Sequence, residues 1–261
     1  MNENFRPLLF MHIPKTAGTS VLVYLRSVYA SRNTLELRWQ DDSLGIVTED
    51  AVKGADFLWL HEPFCELPYD TGKFFKITFL RDPIDRVRSA FSYLRDPAVI
   101  AEQNFLYTSR RTVRALKEIS EMSFREFVLS TDPVHDDNVR AVYRSWFRSD
   151  GGVPLATSAL PEYLDCMSKC FDYVGTTETL SEDMDAIRRF CFPTYPDKFG
   201  RTRENASRKI DADLMLDDAA LAVLKEKLYF DFVLYEHAKK LREVHYNRYV
   251  LDERCGPAYF V

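Results

Sequence analysis

The stretch that decides the fold is Leu8-Leu9-Phe10-Met11-His12-Ile13-Pro14-Lys15-Thr16-Ala17-Gly18-Thr19-Ser20. The apolar run from Leu8 to Ile13 reads as a buried strand. A short loop of small residues with one lysine ends it, and an apolar helix begins at Val21. Strand, loop and helix in that order aim backbone N–H groups and a helix N-terminus at one spot, which attracts phosphate-like anions. The plainer alternative is an ordinary helix start with Thr19 or Ser20 as N-cap. The usual nucleoside-triphosphate loop reads G-x-x-x-x-G-K-[ST], with lysine directly before the hydroxyl residue. Here Lys15 comes three residues before Gly18, the one glycine of the loop. A shorter loop of this kind suits a smaller anion than a triphosphate tail.

A second strand-to-helix unit lies further along. Lys73-Phe-Phe-Lys-Ile-Thr-Phe-Leu80 reads as a buried strand, and Arg81-Asp82-Pro83 comes next. Asp82 suits an N-cap, Pro83 the first helical position and Asp85 the first turn. Ile84, Val87, Phe91 and Leu94 then recur at helical spacing as a core face. Ser89 lies seven residues after Asp82, two turns along the same side. Arg81 closes a strand where open α/β sheets bind ligands. An arginine fork and a hydroxyl can together hold a phosphate dianion. The alternative is that Arg81 pairs with Asp82 or Asp85 and Ser89 is a surface serine.

Between these units Phe57-Leu-Trp-Leu60 reads as another strand, ending at His61. Imidazole titrates near neutral pH and can take a proton from an alcohol. Glu62 is the competing base, and His12 reads as structural. The histidines His135, His237 and His245 are scattered, and no metal-ligand spacing is present, so neither zinc nor metal-dependent chemistry is expected.

His12-Ile-Pro-Lys-Thr-Ala-Gly-Thr-Ser20 resembles the 5′-phosphosulfate loop of sulfotransferases, above all the carbohydrate 2-O-sulfotransferase branch, whose loops run PKT-[AG]-[GS]-T-S. Phe79-Leu-Arg-Asp-Pro-Ile-Asp-Arg-Val-Arg-Ser89-Ala-Phe91 is similar to that family's 3′-phosphate motif. The family's donor is 3′-phosphoadenosine 5′-phosphosulfate (PAPS), and its product is adenosine 3′,5′-bisphosphate. The resemblance implies that Lys15, Thr16, Ala17, Gly18, Thr19 and Ser20 hold the 5′-phosphosulfate, and that Arg81 and Ser89 hold the 3′-phosphate. It implies that Lys15 and His61 are catalytic, His61 as the base. The segment around His61 resembles the family's GH-x-P-(F/Y), with Leu60 in place of the glycine. Phe171-Asp-Tyr-Val-Gly175-Thr-Thr-Glu178 is similar to the family's (F/Y)-V-G-x-x-E strand, Asn138-Val-Arg140 to its N-x-x-(T/V)R element and Asp231 to Tyr235 to its closing D-x-x-(L/F)Y. Arg208 and Lys209, after the loop marked by Pro193, Pro196 and Gly200, read either as exposed loop charges or, by resemblance to a corresponding loop of many sulfotransferases, as a basic pair that closes over the donor's phosphates. The specific motifs occupy about the first 95 residues.

The implied fold is α/β: a P-loop-like three-layer sandwich with a central, mostly parallel sheet flanked by helices, plus a helical insertion and C-terminal helices. One domain over residues 1–261 is expected, with an acceptor-side helical insertion at about 98–149. There Val113, Leu116 and Ile119 recur at helical spacing, and Ser123-Phe-Arg-Glu126 is a capping-box signature. Thr179-Leu-Ser-Glu182 reads as a helix start with Met184, Ile187 and Cys191 on its core face, and Asp217 to Tyr246 as a long helix or helix pair.

Composition fits a globular protein, with 46% hydrophobic and 29% charged residues. The net charge of −5 argues against nucleic acid as a partner. No apolar stretch long enough for a membrane span occurs, and the first strand starts too early for a signal peptide. The expected location is the cytoplasm, of a bacterial member. The five cysteines are odd in number, which suits reduced thiols; Cys166 and Cys170 share a helix face and read as packing.

The function so implied is transfer of a sulfuryl group from PAPS to a hydroxyl of a carbohydrate or other small alcohol, in line and without a metal. Two rivals stand beside it: a Mg-dependent P-loop kinase or NTPase, and a non-catalytic nucleotide-binding scaffold of the same fold. The sequence leaves the acceptor and the oligomeric state open.

Overall fold

A computed structural model describes residues 5–37, 47–61, 67, 69–106, 110–136, 138–140, 142–147, 160–200 and 212–251. Among the described residues, five short strands form one parallel sheet: β1 (Leu8–Met11), β2 (Thr34–Leu37), β3 (Phe57–Leu60), β4 (Phe75–Leu80) and β5 (Tyr173–Thr176), in the order β2-β3-β1-β4-β5. Met11 stands opposite Leu60 on one side and Thr78 on the other. The sheet is thus the parallel α/β sheet that the sequence implies. β1, β3 and β5 are buried along their whole length, and β1 and β3 are accordingly continuous apolar runs without alternation.

The helices are α1 (Gly18–Val28), α2 (Glu49–Gly54), α3 (Pro83–Leu94), α4 (Pro97–Leu106), α5 (Arg110–Glu121), α6 (Phe124–Leu129), α7 (Pro133–Asp136), α8 (Val142–Phe147), α9 (Leu160–Cys170), α10 (Leu180–Cys191), α11 (Asp218–Lys227) and α12 (Tyr229–Tyr246). The chain divides into two compact units. One holds the sheet and comprises Met1–Arg81, Ser145–Asn205 and Leu234–Val261; the other comprises Asp82–Arg144 and Ala206–Val233.

In the sheet unit, Val21, Leu22, Leu25 and Val28 of α1 and Met184, Ala186, Ile187 and Cys191 of α10 share a core with Phe10, Phe57, Ile77 and Phe79. Gly175 marks a close approach within this core. A Cβ there would lie 2.5 Å from the Phe79 ring and 2.8 Å from Asp183 Oδ2. Asp183 is fully buried yet well satisfied. It accepts from Tyr173 Oη at 2.9 Å, Thr179 Oγ1 at 2.7 Å, the Thr176 amide at 3.2 Å and Arg242 Nε at 2.7 Å. Thr179 is the N-cap of α10, but its hydroxyl serves Asp183 and not the helix.

In the helical unit, Val87 and Phe91 of α3 pack with Ile119, Phe124, Phe127, Val139, Leu224 and Leu228. The capping box of Ser123 and Glu126 is present as the sequence reads. Asp82 caps α3 through the Ile84 and Asp85 amides, again as read. Asp217 to Tyr246 is a helix pair, α11 and α12. Arg140 pairs with Asp136 at 2.7 Å, a structural use of the arginine. Asp231 is fully buried and accepts from the Val142 and Tyr143 amides at 3.1 and 3.0 Å, anchoring the start of α8. Burial raises its carboxyl to about 6, against the opposing pull of Arg86. Arg86, also buried, donates to the Asn138 and Val139 carbonyls.

Gly175→Ala should destabilise the protein by about 1–3 kcal/mol, because the added methyl meets a packed ring and a committed carboxylate. Urea denaturation measures this; an unchanged midpoint would show that the Phe79 ring yields freely.

Candidate active site

The sheet order reverses between β1 and β4, since the chain goes from β1 out to the edge strand β2, returns to β3 beside β1, and then crosses to β4 and β5 on the other side. Open α/β sheets bind ligands at the carboxyl ends of their strands at this point. The Lys15 loop leaves the end of β1, and Arg81 stands directly after β4. His61 comes directly after β3, the other neighbour of β1.

The loop is anchored before it turns. The His12 amide donates to the Leu60 carbonyl at 2.8 Å, and Thr78 Oγ1 donates to the Met11 carbonyl at 3.0 Å. Thr16 is buried, and its Oγ1 donates to the Ile13 carbonyl at 2.8 Å. Its hydroxyl therefore fixes the turn.

Two residues of the loop are left-handed without being glycine: Lys15 at φ 68° and Ala17 at φ 63°. Each costs about 1–2 kcal/mol over an ordinary backbone. Thr16 and Gly18, which alternate with them, keep ordinary φ. Alternation of this hand curls successive N–H groups into one concavity, the backbone nest that binds anions. The conformational cost sits where a ligand would recover it.

Helix α1 starts at Gly18, three residues earlier than the apolar pattern marks. Its N-cap is Ala17, not Thr19 or Ser20, so no side chain caps the helix, and its first turn carries no acid. The positive end of the helix is left for an external anion. Helix α3 is the contrast, since Asp82 occupies its N-terminus with its own carboxylate.

Gly18 is dictated by His12. A Cβ at Gly18 would stand 1.6 Å from His12 Cδ2 and 1.9 Å from Nε2. The imidazole thus lies across the first residue of α1 and stacks on Phe10 at 5.8 Å between ring centroids. Burial, together with the neighbouring His61 and the positive Lys15, holds the His12 pKa down at about 3. His12 is neutral at physiological pH.

Lys15 is half-buried, and desolvation, helped by the charge of Arg81, lowers its pKa to about 8. One unit above neutrality still leaves about nine ammonium groups in ten protonated at pH 7. The loop therefore presents a cation that gains by meeting an anion.

His61 is exposed, and its ring lies 4.7 Å from that of His12. Its Nδ1 is 3.0 Å from the His12 carbonyl oxygen. A carbonyl only accepts, so Nδ1 carries the hydrogen, and in the neutral ring Nε2 keeps the lone pair. The Trp146 ring stands edge-on to His61 at 5.5 Å, a neighbour that no sequence pattern marks. The β-sheet edge thus assembles Lys15, the loop amides, His61 and Arg81. Ser89 sits in α3, in the helical unit. Glu62, Arg208 and Lys209 lie outside the described residues.

The His12 carbon-bound ring protons should not titrate above about pH 4 in an NMR experiment, with assignment by their loss in His12→Asn. Between pH 3 and 6.5 the unfolded chain binds a proton at this position that the folded chain refuses, so its contribution makes stability rise with pH across that window. An ordinary His12 midpoint near 6.5 would contradict the buried neutral ring.

A family model described as the sulfotransferase family matches residues 2–238. A search of curated proteins finds no match.

Proposed function

The chain belongs to the sulfotransferase family, and from that premise we propose that it transfers a sulfuryl group from PAPS to the hydroxyl of a carbohydrate or similar small alcohol. The observation that carries the reading is the loop after β1. Its curled, left-handed backbone and uncapped helix terminus fit a single tetrahedral anion better than a triphosphate tail. The glycine cradle beside His12 sets this loop's shape. The donor supplies an activated sulfuryl group whose leaving group is a phosphate.

In this reading the backbone of Thr16 to Ser20 binds the 5′ end of the donor. The hydroxyls of Thr19 and Ser20 are the side-chain donors there, since the Thr16 hydroxyl is spent on Ile13. Lys15 meets the negative charge that gathers on the bridging oxygen as the S–O bond breaks. His61 Nε2 accepts the acceptor's proton as its oxygen attacks, and the hydrogen bond from Nδ1 to the His12 carbonyl steadies the imidazolium that results. Arg81 and Ser89 bind the 3′-phosphate, Ser89 on the strength of the sequence motif. The carbohydrate 2-O-type branch, a bacterial source and a cytoplasmic site of action belong to the same reading. No described helix is long and apolar enough to cross a membrane.

Lys15→Ala should lower turnover by about 10²–10³-fold, the usual cost of one charge-stabilising donor, while donor binding survives in part. Steady-state assays with mass detection of the sulfated product read this; unchanged turnover would remove Lys15 from the mechanism. Adenosine 3′,5′-bisphosphate binding at pH 8.5 should take up a substantial fraction of one proton, because an anion returns Lys15 from about 8 toward its ordinary pKa. Calorimetry in buffers of different ionisation enthalpy measures the uptake, which Lys15→Met should abolish.

Arg81→Ala should cost about 1.5–3 kcal/mol in binding adenosine 3′,5′-bisphosphate and far less in binding adenosine 5′-phosphosulfate, which has no 3′-phosphate. Equal losses would assign Arg81 to something other than the 3′-phosphate.

A further inference from the structure

Cys166 and Cys170 lie one turn apart on α9, and their Sγ atoms are 3.6 Å apart. Both side chains are partly exposed, so a small reagent reaches them. Cys166 Sγ also lies 2.8 Å from the Phe147 carbonyl, to which it donates. Cys166 has one hydrogen to give, either to that carbonyl or to an ionised Cys170. The Cys170 thiol is drawn down to about 7, first by its hydrogen bond with Cys166, then by the charge of Lys76 against the effect of burial.

The spacing suits a covalent bond. Residues four apart on a helix have Cα atoms about 6 Å apart, within the range of about 4.4–6.8 Å that disulfides span. Closing the Sγ atoms from 3.6 Å to a bond of about 2.05 Å also draws the Cβ atoms from the roughly 5–6 Å of helix neighbours to about 3.8 Å, so the last turn of α9, which ends at Cys170, loosens as the bond forms. Cys191 differs, since it is fully buried and burial pushes its thiol far up.

We propose that Cys166 and Cys170 form a thiol–disulfide site, which low-molecular-weight disulfides oxidise to a cross-link within α9. The Cys170 thiolate attacks one sulfur of the small disulfide RS–SR, forming a mixed disulfide and expelling RS⁻. Cys166 then loses its proton, and its thiolate attacks the Cys170 sulfur, expelling the second RS⁻. The two thiols of the chain are oxidised to one disulfide, and the small disulfide is reduced to two thiols, which take the two protons released.

The cross-link removes the hydrogen that Cys166 gives to Phe147. Phe147 is the next residue after Trp146, whose ring borders His61, and its own ring packs edge-on to Phe171 at 5.8 Å. The cross-link itself is independent of the sulfuryl-transfer reading, since its detection needs neither donor nor acceptor.

The test is incubation of the full chain with oxidised glutathione, then alkylation, trypsin and mass spectrometry. Cleavage after Lys169 separates the two cysteines, so a cross-link appears as two joined peptides. The expected result is that joined pair as the main oxidised product, reversed by reduced glutathione. Cys170→Ser and Cys166→Ser should each abolish it and leave a glutathione adduct on the remaining cysteine. Cys166→Ser retains a donor for the Phe147 carbonyl and so tests the chemistry in a folded chain. Separate alkylation of both cysteines, or a lasting mixed adduct on the unaltered chain, would overturn the proposal.

Discussion

The candidate site depends on one close approach: the His12 imidazole occupies the space a side chain at position 18 would need. Because Gly18 has no Cβ, α1 can begin directly beneath the sheet edge. Before it, the chain turns through left-handed conformations at Lys15 and Ala17. That turn curls the backbone amides and leaves the helix start without a side-chain cap. The loop and the helix start thus share one constraint, an imidazole ring in the place of a side chain at position 18.

Electrostatics then divides the roles. His12 is neutral because burial and the adjacent positive groups disfavour a further charge. This leaves Lys15 and Arg81 as the cations at the ends of β1 and β4. Their mutual repulsion, added to the desolvation of Lys15, raises the energy of the site without an anion and so favours taking one up. His61 is set apart by its hydrogen bond to a backbone oxygen, which fixes the tautomer that a base requires. Asp82, the strand-end carboxylate that a Mg-dependent kinase would have to recruit, is engaged with two amides of its own helix.

The strands β1 and β3 were legible because they are buried along their whole length and consist of apolar residues without interruption, and β4 because its aromatic and branched residues dominate around Lys76 and Thr78. The cap and core of α3 were legible because Asp82, Pro83 and the spacing of Val87 and Phe91 are local signals. The edge strand Thr34–Leu37 was not legible, since Glu36 interrupts its apolar pattern and its pairing with β3 is a long-range fact. The apolar pattern starts α1 too late, at Val21, because Gly18, Thr19 and Ser20 are poor helix formers whose placement comes from the His12 contact and not from propensity. Gly175 fitted a motif, but its reason, the Phe79 ring and the Asp183 carboxylate, exists only in three dimensions. The proximity of Cys166 and Cys170 was visible as helix spacing; the contact with Phe147 that links them to Trp146 was not.

The central claim is that the loop after β1 and the arginine after β4 serve a nucleotide with separate 5′ and 3′ anions. Calorimetric titration with adenosine 3′,5′-bisphosphate and, separately, with Mg-ATP tests it most directly. The account predicts saturable binding of the first at one site and no binding of the second. Binding of Mg-ATP alone, or of neither nucleotide, would contradict it.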